Sequence, residues 1–218
     1  MIKVTLKDGS QKEVEQGISI YDLAKQISEG LARVATCGRV DGKVEDLRFK
    51  LEKDCNVEIL TFDSDLDGKK AYWHTTSHIM AQAVKRLFPN TKLAIGPAID
   101  DGFYYDFDVE NNFTDEDKEK IEAEMKKIIK EDLPIERFSL PKKEALELMK
   151  DEPYKCELIN DLADGEEISF YRQGEFTDLC AGPHLMSTGK IKAVKILNNS
   201  GAYWRGNEHN KMIQRIYA

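Results

Sequence analysis

The sequence predicts an α+β protein in two parts, and three observations carry that prediction. Residues Ile2–Leu6 alternate apolar and polar side chains before Asp8-Gly9, the pattern of a strand entering a hairpin. The polar stretch DSDLDGKK at 63–70 interrupts the apolar patterning and marks a boundary after residue 62. Beyond it, helix-period segments alternate with short strand-like runs, the signature of helices packed on a mostly antiparallel sheet.

In the first part, 1–62, the run after the Asp8-Gly9 turn resumes at 12–14 and closes the hairpin. Ser19 is a helix cap, and Ile20, Leu23, Ala24 and Ile27 keep a helical period until Gly30 ends it. A strand over 32–40, a turn at Asp41-Gly42 and a last strand over 55–62 follow. The order ββαββ within about 60 residues suits a small β-grasp, ubiquitin-like domain.

In the second part, 63–218, a helix is expected over 71–87, stopping before Pro89. Runs at 93–99 and 103–109 flank Asp100-Asp101-Gly102 as a hairpin. Thr114 caps a long amphipathic helix reaching Glu131, with Ile121, Met125, Ile128 and Ile129 on its apolar stripe. A strand over Ile135–Ser139, a short helix after Pro141 and another after Tyr154 come next. The remaining strand candidates are 168–171, Phe176–Leu179, 191–197 and Met212–Tyr217.

Composition narrows the function classes. Charged residues make up 33% of the 218 and hydrophobic ones 41%, a balance of packed domains rather than disorder. No apolar run approaches a bilayer span and the first residues carry no signal-peptide core, so no membrane partner and a cytoplasmic setting are expected. Cys37, Cys55, Cys156 and Cys180 form no CxxC pair, which favours reduced thiols. The net charge of −8 argues against a surface that grips nucleic acid throughout, though not against an enzyme that accepts only the end of one.

Three of the four histidines fall in two short words, HTTSH (His74, His78) and CAGPH (Cys180, His184). On a helix, HxxxH puts both imidazoles on one face, one turn apart. Gly182 and Pro183 place the second word on a loop or strand end. The quartet is a site for a metal or for a bound water: His74, His78, Cys180 and His184 are an acceptable set for tetrahedral Zn²⁺.

The words around the quartet are more specific. DGSQKEV, WHTTSHIMAQAVKRLFPNTKLAIGPAIDDGFYYDFD, EPYKCELI, FTDLCAGPH and GAYWRG…KMIQRIYA resemble, in order and across essentially the whole chain, threonyl-tRNA synthetases of the bacterial type. The resemblance implies a TGS module at 1–62 and an editing domain at 63–218. The aminoacylation core and the anticodon-binding domain are then missing, as in an N-terminal fragment. It implies hydrolysis of seryl-tRNA(Thr), with the tRNA(Thr) acceptor end as partner. The fragment is expected to be monomeric and the full enzyme homodimeric through the missing domains. By resemblance no cofactor is required for editing, while a related alanyl-enzyme domain with a similar ligand pattern binds zinc.

Roles follow from what ester hydrolysis needs: a positioned water, a proton acceptor and stabilisation of an oxyanion. His74 is expected to orient the water or move its proton, with His78 and His184 contacting substrate and supporting the pocket. The resemblance brings Lys155 of EPYKCELI into the site, to orient the water or stabilise negative charge, and the sequence leaves open whether it or His74 takes the proton. Asp178 lies two residues before Cys180, on the same face of a strand, and could accept a hydrogen bond from the serine ammonium or hydroxyl. Cys180 is expected to shape the pocket rather than attack, because an activated ester can be hydrolysed directly by water. Tyr104 and Tyr105 alternate across a strand, and Tyr105 is taken as the one facing the site; one core and one surface aromatic is the competing reading. Two other function classes compete: a zinc metallohydrolase, and a non-catalytic RNA- or nucleotide-binding module, although no P-loop is present to support GTPase activity.

Overall fold

The computed structural model describes all 218 residues, which form two compact units: Met1–Thr75 with Gly182–Met186, and Thr76–Ala181 with Ser187–Ala218. The α+β class holds, with sheets that are antiparallel but for one strand pair. No helix is long and apolar enough to cross a membrane.

The first unit opens with the expected hairpin of β1 (Ile2–Leu6) and β2 (Gln11–Val14). The short strand β3 (Ile18–Ser19) leads into α1 (Ile20–Ile27), where the Ser19 hydroxyl accepts from the Asp22 N–H as the cap. Gly30 does not end this helix. The Ser28 hydroxyl accepts from the Gly30 and Leu31 N–H groups and starts α2 (Glu29–Val34). The strand expected from residue 32 therefore begins only at β4 (Ala35–Val40). Asp41-Gly42, both at positive φ, turn it into β5 (Lys43–Glu45), and β6 (Lys50–Leu51) and β7 (Cys55–Thr61) follow. The main sheet runs β2-β1-β7-β4-β5 with β1 and β7 parallel, and a second, two-stranded sheet pairs β3 with β6. Ile20 and Leu23 of α1 pack on Ile2, Val4, Val14 and Val57, the core of this β-grasp arrangement.

Helix α3 (Leu66–Leu87) starts five residues before the expected position. Gly68, which looks like a loop marker in the sequence, is a close-approach residue: a Cβ there would collide with the Thr61 carbonyl. The second unit then adds β8 (Lys92–Leu93), β9 (Ala98–Ile99) and β10 (Gly102–Asp108). The hairpin around Asp100-Asp101-Gly102 is present, but its first arm is split into β8 and β9, which both pair with β10. Helix α4 (Asp115–Glu131) carries the Thr114 cap, reinforced by Asp117 in a capping box, and buries Ile121, Met125 and Ile128.

Strand β11 (Ile135–Ser139), helices α5 (Lys142–Leu148) and α6 (Pro153–Asp161), and strands β12 (Ser169–Gln173) and β13 (Phe176–Leu179) follow the expected order. Residues 191–197 are not a strand. Ile191 and Ile196 are buried, but the Ile196 N–H donates to Glu122 of α4 instead of to a neighbouring strand. The pairing strand is the next segment, β14 (Asn198–Tyr203), which runs against β15 (Met212–Tyr217). The second unit thus holds a sheet ordered β14-β15-β10-β8, with β9 at its side, and a three-stranded sheet β11-β12-β13.

Candidate functional site

In the second unit, three of the expected residues converge on the carboxylate of a fourth, Asp178. The β-strand period buries Tyr105 of β10 while Tyr104 turns to the opposite face, under the Arg215 guanidinium 3.8 Å from its ring. Strand β13 puts Asp178 opposite Tyr171 of β12, in the interior. Pro153 fits the first turn of α6, and Tyr154 and Lys155 just after it are buried. His78 lies on the buried side of α3.

Tyr105 donates its hydroxyl to Asp178 Oδ2 at 2.6 Å, and Lys155 Nζ contacts Asp178 Oδ1 at 2.8 Å. His78 Nε2 lies 3.5 Å from Oδ2, and its ring stands edge-on to Tyr105 and Phe176. The Lys155 ammonium also lies 5.4 Å from the Tyr105 ring centre. Lys155 and Asp178 retain only 3% and 1% side-chain exposure, so this is a fully desolvated ion pair. A cavity of about 320 Å³ is lined by Asp178 together with Lys85, Glu152, Glu175 and Phe176.

Burial alone would raise Asp178, but the charge of Lys155, the His78 ring and hydrogen bonds from Lys155 and Tyr105 outweigh it and hold the carboxyl below its ordinary range. Burial pushes His78 down to about 4, against the pull of Asp178 and with a smaller push from Lys155. His78 is accordingly neutral near pH 7, and its approach to Asp178 is a dipolar contact rather than an ion pair. Burial, and then the neighbouring carboxylate, raise the Tyr105 phenol, which stays a hydrogen-bond donor.

Cys180 follows β13 and packs with Ile135 and Tyr171. Its N–H donates to the Ser169 carbonyl, while the Ser169 hydroxyl donates to its carbonyl at 2.6 Å. None of the four cysteines is in a disulfide, and burial pushes the Cys37 thiol up to about 12 and raises Cys55 and Cys156, as suits packed side chains.

The other two histidines of HTTSH and CAGPH belong to the first unit. His74, half-buried on α3, and His184, fully buried, lie ring against ring with centres 4.6 Å apart. His74 and His184 in this unit, and His78 and Cys180 in the second, each offer a ligand-type nitrogen or sulfur. The donors suit zinc, and the neutral form of His78 is the one a metal requires.

Sequence reasoning missed what holds His184. In the first unit its N–H donates to Asp46, its carbonyl accepts from Arg48, and Thr75 accepts from the next N–H, that of Leu185. Asp46 and Arg48 sit in EDLRF, which reads as an ordinary polar turn, and no local pattern marks a bond across more than 130 residues.

Comparison with known proteins gives two domain matches. Residues 2–61 match the TGS domain, and residues 168–217, which contain Asp178, Cys180 and His184, match the "Threonyl and Alanyl tRNA synthetase second additional domain". Over its whole length the chain is 65% identical to a threonine–tRNA ligase of Acetivibrio thermocellus and 64% identical to one of Clostridium perfringens, covering 34% of each. Over 98% of its length it is 63% identical to the threonine–tRNA ligase of Caldanaerobacter subterraneus, covering 33% of that protein. The chain thus spans about one third of the curated relatives it matches. With both domain matches in sequence order and at least 60% identity over essentially all of its length, the chain corresponds to the N-terminal region of threonine–tRNA ligases.

Proposed function

We propose that this chain is the proofreading part of a threonyl-tRNA synthetase and hydrolyses the ester of serine wrongly attached to tRNA(Thr). The observation that carries this reading is the desolvated cluster of His78, Tyr105, Lys155 and Asp178, with Asp178 inside the segment that matches the synthetase second additional domain. The task has a physical reason. Serine is threonine without a methyl, and a missing methylene-sized group gives only about 1–3 kcal/mol of discrimination, so a second, hydrolytic site that excludes the extra methyl is needed.

In this reading residues 63–218 form the hydrolytic part and 1–62 the TGS module. His74 orients the attacking water and takes its proton, which is passed to the departing ribose oxygen. Lys155, fixed by Asp178, supplies positive charge toward the tetrahedral oxyanion. Asp178 and Tyr105 hold that cation and line the substrate's amino-acid end. His78, kept neutral by burial, and His184 and Cys180 support the pocket. The ester is activated enough for direct attack by water, and the reaction is assigned to these side chains without a metal. A metallohydrolase is the second reading, favoured by the donor types in HTTSH and CAGPH: His74, His78, Cys180 and His184 would hold the zinc, which would polarise the ester carbonyl.

Single-turnover deacylation of seryl- and threonyl-tRNA(Thr) tests the assignment. The expected result is loss of the serine ester with the threonine ester spared, unchanged in chelator-treated, metal-analysed protein. Equal hydrolysis of both esters overturns the specificity. No hydrolysis, even with the remainder of the ligase added, overturns the activity, and activity restored only by stoichiometric zinc promotes the second reading.

A further inference from the structure

The segment Gly182–Met186 belongs to the first unit although it lies more than a hundred residues beyond the rest of that unit in sequence. Side chains, rather than a strand partner, hold its backbone. Asp46 Oδ2 accepts from the His184 N–H at 3.0 Å. Arg48 donates from Nη1 to the His184 carbonyl at 3.1 Å and from Nη2 to the Leu185 carbonyl at 2.8 Å. Thr75 Oγ1 accepts from the Leu185 N–H at 3.0 Å and donates to the Ala71 carbonyl one helical turn back. The backbone donors and acceptors of two consecutive residues are thereby bonded by three side chains.

The clamp is itself fixed. Asp46 Oδ1 accepts from both the backbone N–H and the guanidinium of Arg48, at 2.8 and 2.9 Å. Leu47, between them, is fully buried in the core of the unit, and Met186 packs against that same core. Only a planar, forked donor can bridge two successive carbonyls in this way, so lysine is not an equivalent. The ring of the clamped residue, His184, lies against His74.

We infer that Asp46 and Arg48 are positioning residues for the proposed deacylation: they fix the His184 backbone and, through it, the seat of the His184 ring against His74. The first unit therefore does more than carry a separate binding surface, because its turn at 46–49 holds His184 in place beside His74. This inference rests on the proposed hydrolysis, and the test separates the two.

Arg48→Ala, Arg48→Lys and Thr75→Val are compared with the parent chain in single-turnover deacylation of seryl-tRNA(Thr). Imidazole NMR signals of His184 and His74 and urea unfolding are followed in parallel. Arg48→Ala is expected to lower the rate at saturating tRNA by roughly 10- to 100-fold, the scale of a displaced catalytic group, and to shift the His184 ring signals. Arg48→Lys should fall between it and the parent, and Thr75→Val should act in the same direction. Folded variants with rates within about twofold of the parent and unmoved His184 signals overturn the inference. If Arg48→Ala does not fold, Arg48→Lys and Thr75→Val decide by the same two readouts. A parent that never deacylates defeats the proposed function instead, and the His184 signals still decide whether the clamp positions the ring.

Discussion

Two regions of the molecule hold histidines by different physics. In the second unit His78 stands beside a carboxylate that is already bonded to Tyr105 and Lys155, in an interior with almost no solvent access. In the first unit His74 and His184 meet ring to ring, and the polar bonds go to the His184 backbone from Asp46 and Arg48. The first arrangement is charged, with Lys155 and Asp178 neutralising each other and the neutral His78 and Tyr105 packed around the pair. The second fixes a side chain by fixing its backbone, and leaves the imidazole of His74 partly exposed for chemistry. Structural and chemical demands are thus placed on different residues.

The largest expected effect tests that division directly. Asp178→Ala leaves Lys155 buried without its counter-charge, which should cost about 3–5 kcal/mol of unfolding free energy and abolish deacylation together. His74→Ala should do the opposite. Its unfolding free energy should change by about 1 kcal/mol or less, while deacylation falls ~10²–10⁴-fold, the usual contribution of a positioned proton-transfer group. Urea titration and single-turnover kinetics on the two variants give the four numbers. A stable, active Asp178→Ala, or a His74→Ala with the parent's rate, breaks the comparison.

The β-grasp order and the second unit's run of elements were legible because strand alternation, Asp-Gly turns and the Ser19 and Thr114 caps act through neighbours in sequence. The errors share one cause. Ser28 restarting a helix, Gly68 tolerating the Thr61 carbonyl and Glu122 capturing the Ile196 N–H all depend on partners that local pattern does not display. The site divides in the same way. The quartet and Asp178 stand out as words, and strand alternation says that only one of Tyr104 and Tyr105 faces inward, without saying which. Lys155 came only through the family resemblance, since one lysine on a helix looks like surface. Asp46 and Arg48 had no signal at all.

A second test sharpens the contrast through pH. Burial holds His78 at about 4, below its ordinary value near 6.5, so the folded chain refuses a proton that the unfolded chain accepts between those values. Stability is then unaffected by this group above about pH 6.5 and declines as pH falls from there toward 4, by up to ~3 kcal/mol. Asp178 acts lower. Its folded value lies beneath the unfolded one, so its contribution is complete above the ordinary carboxylate range and is lost only as pH drops through the depressed folded value. Urea midpoints measured from pH 7.5 to 4 should therefore fall across the His78 window in the parent, and His78→Gln should flatten that slope. An unchanged slope in the variant would assign the acid sensitivity to other groups.

The smallest expected effect concerns Cys180, the residue at which the two accounts of the chemistry part most sharply. A thiol nucleophile would form a thioester by breaking the ester bond to the ribose, and water would then have to cleave that thioester in a second step. Direct attack by water needs neither the intermediate nor the thiol. The packing favours the simpler course, because Cys180 lies among Ile135 and Tyr171 with its backbone pinned by Ser169, the setting of a wall residue. Cys180→Ala removes one buried sulfur atom and should cost about 1–2 kcal/mol of stability. Its single-turnover rate should stay within about tenfold of the parent, well short of the loss expected for His74→Ala. Rapid-quench mass spectrometry of the parent during turnover should find the chain at its unmodified mass. A serine-sized adduct on Cys180, together with loss of activity in Cys180→Ala, would move the chemistry from water to sulfur and reduce His74 to the group that activates the thiol.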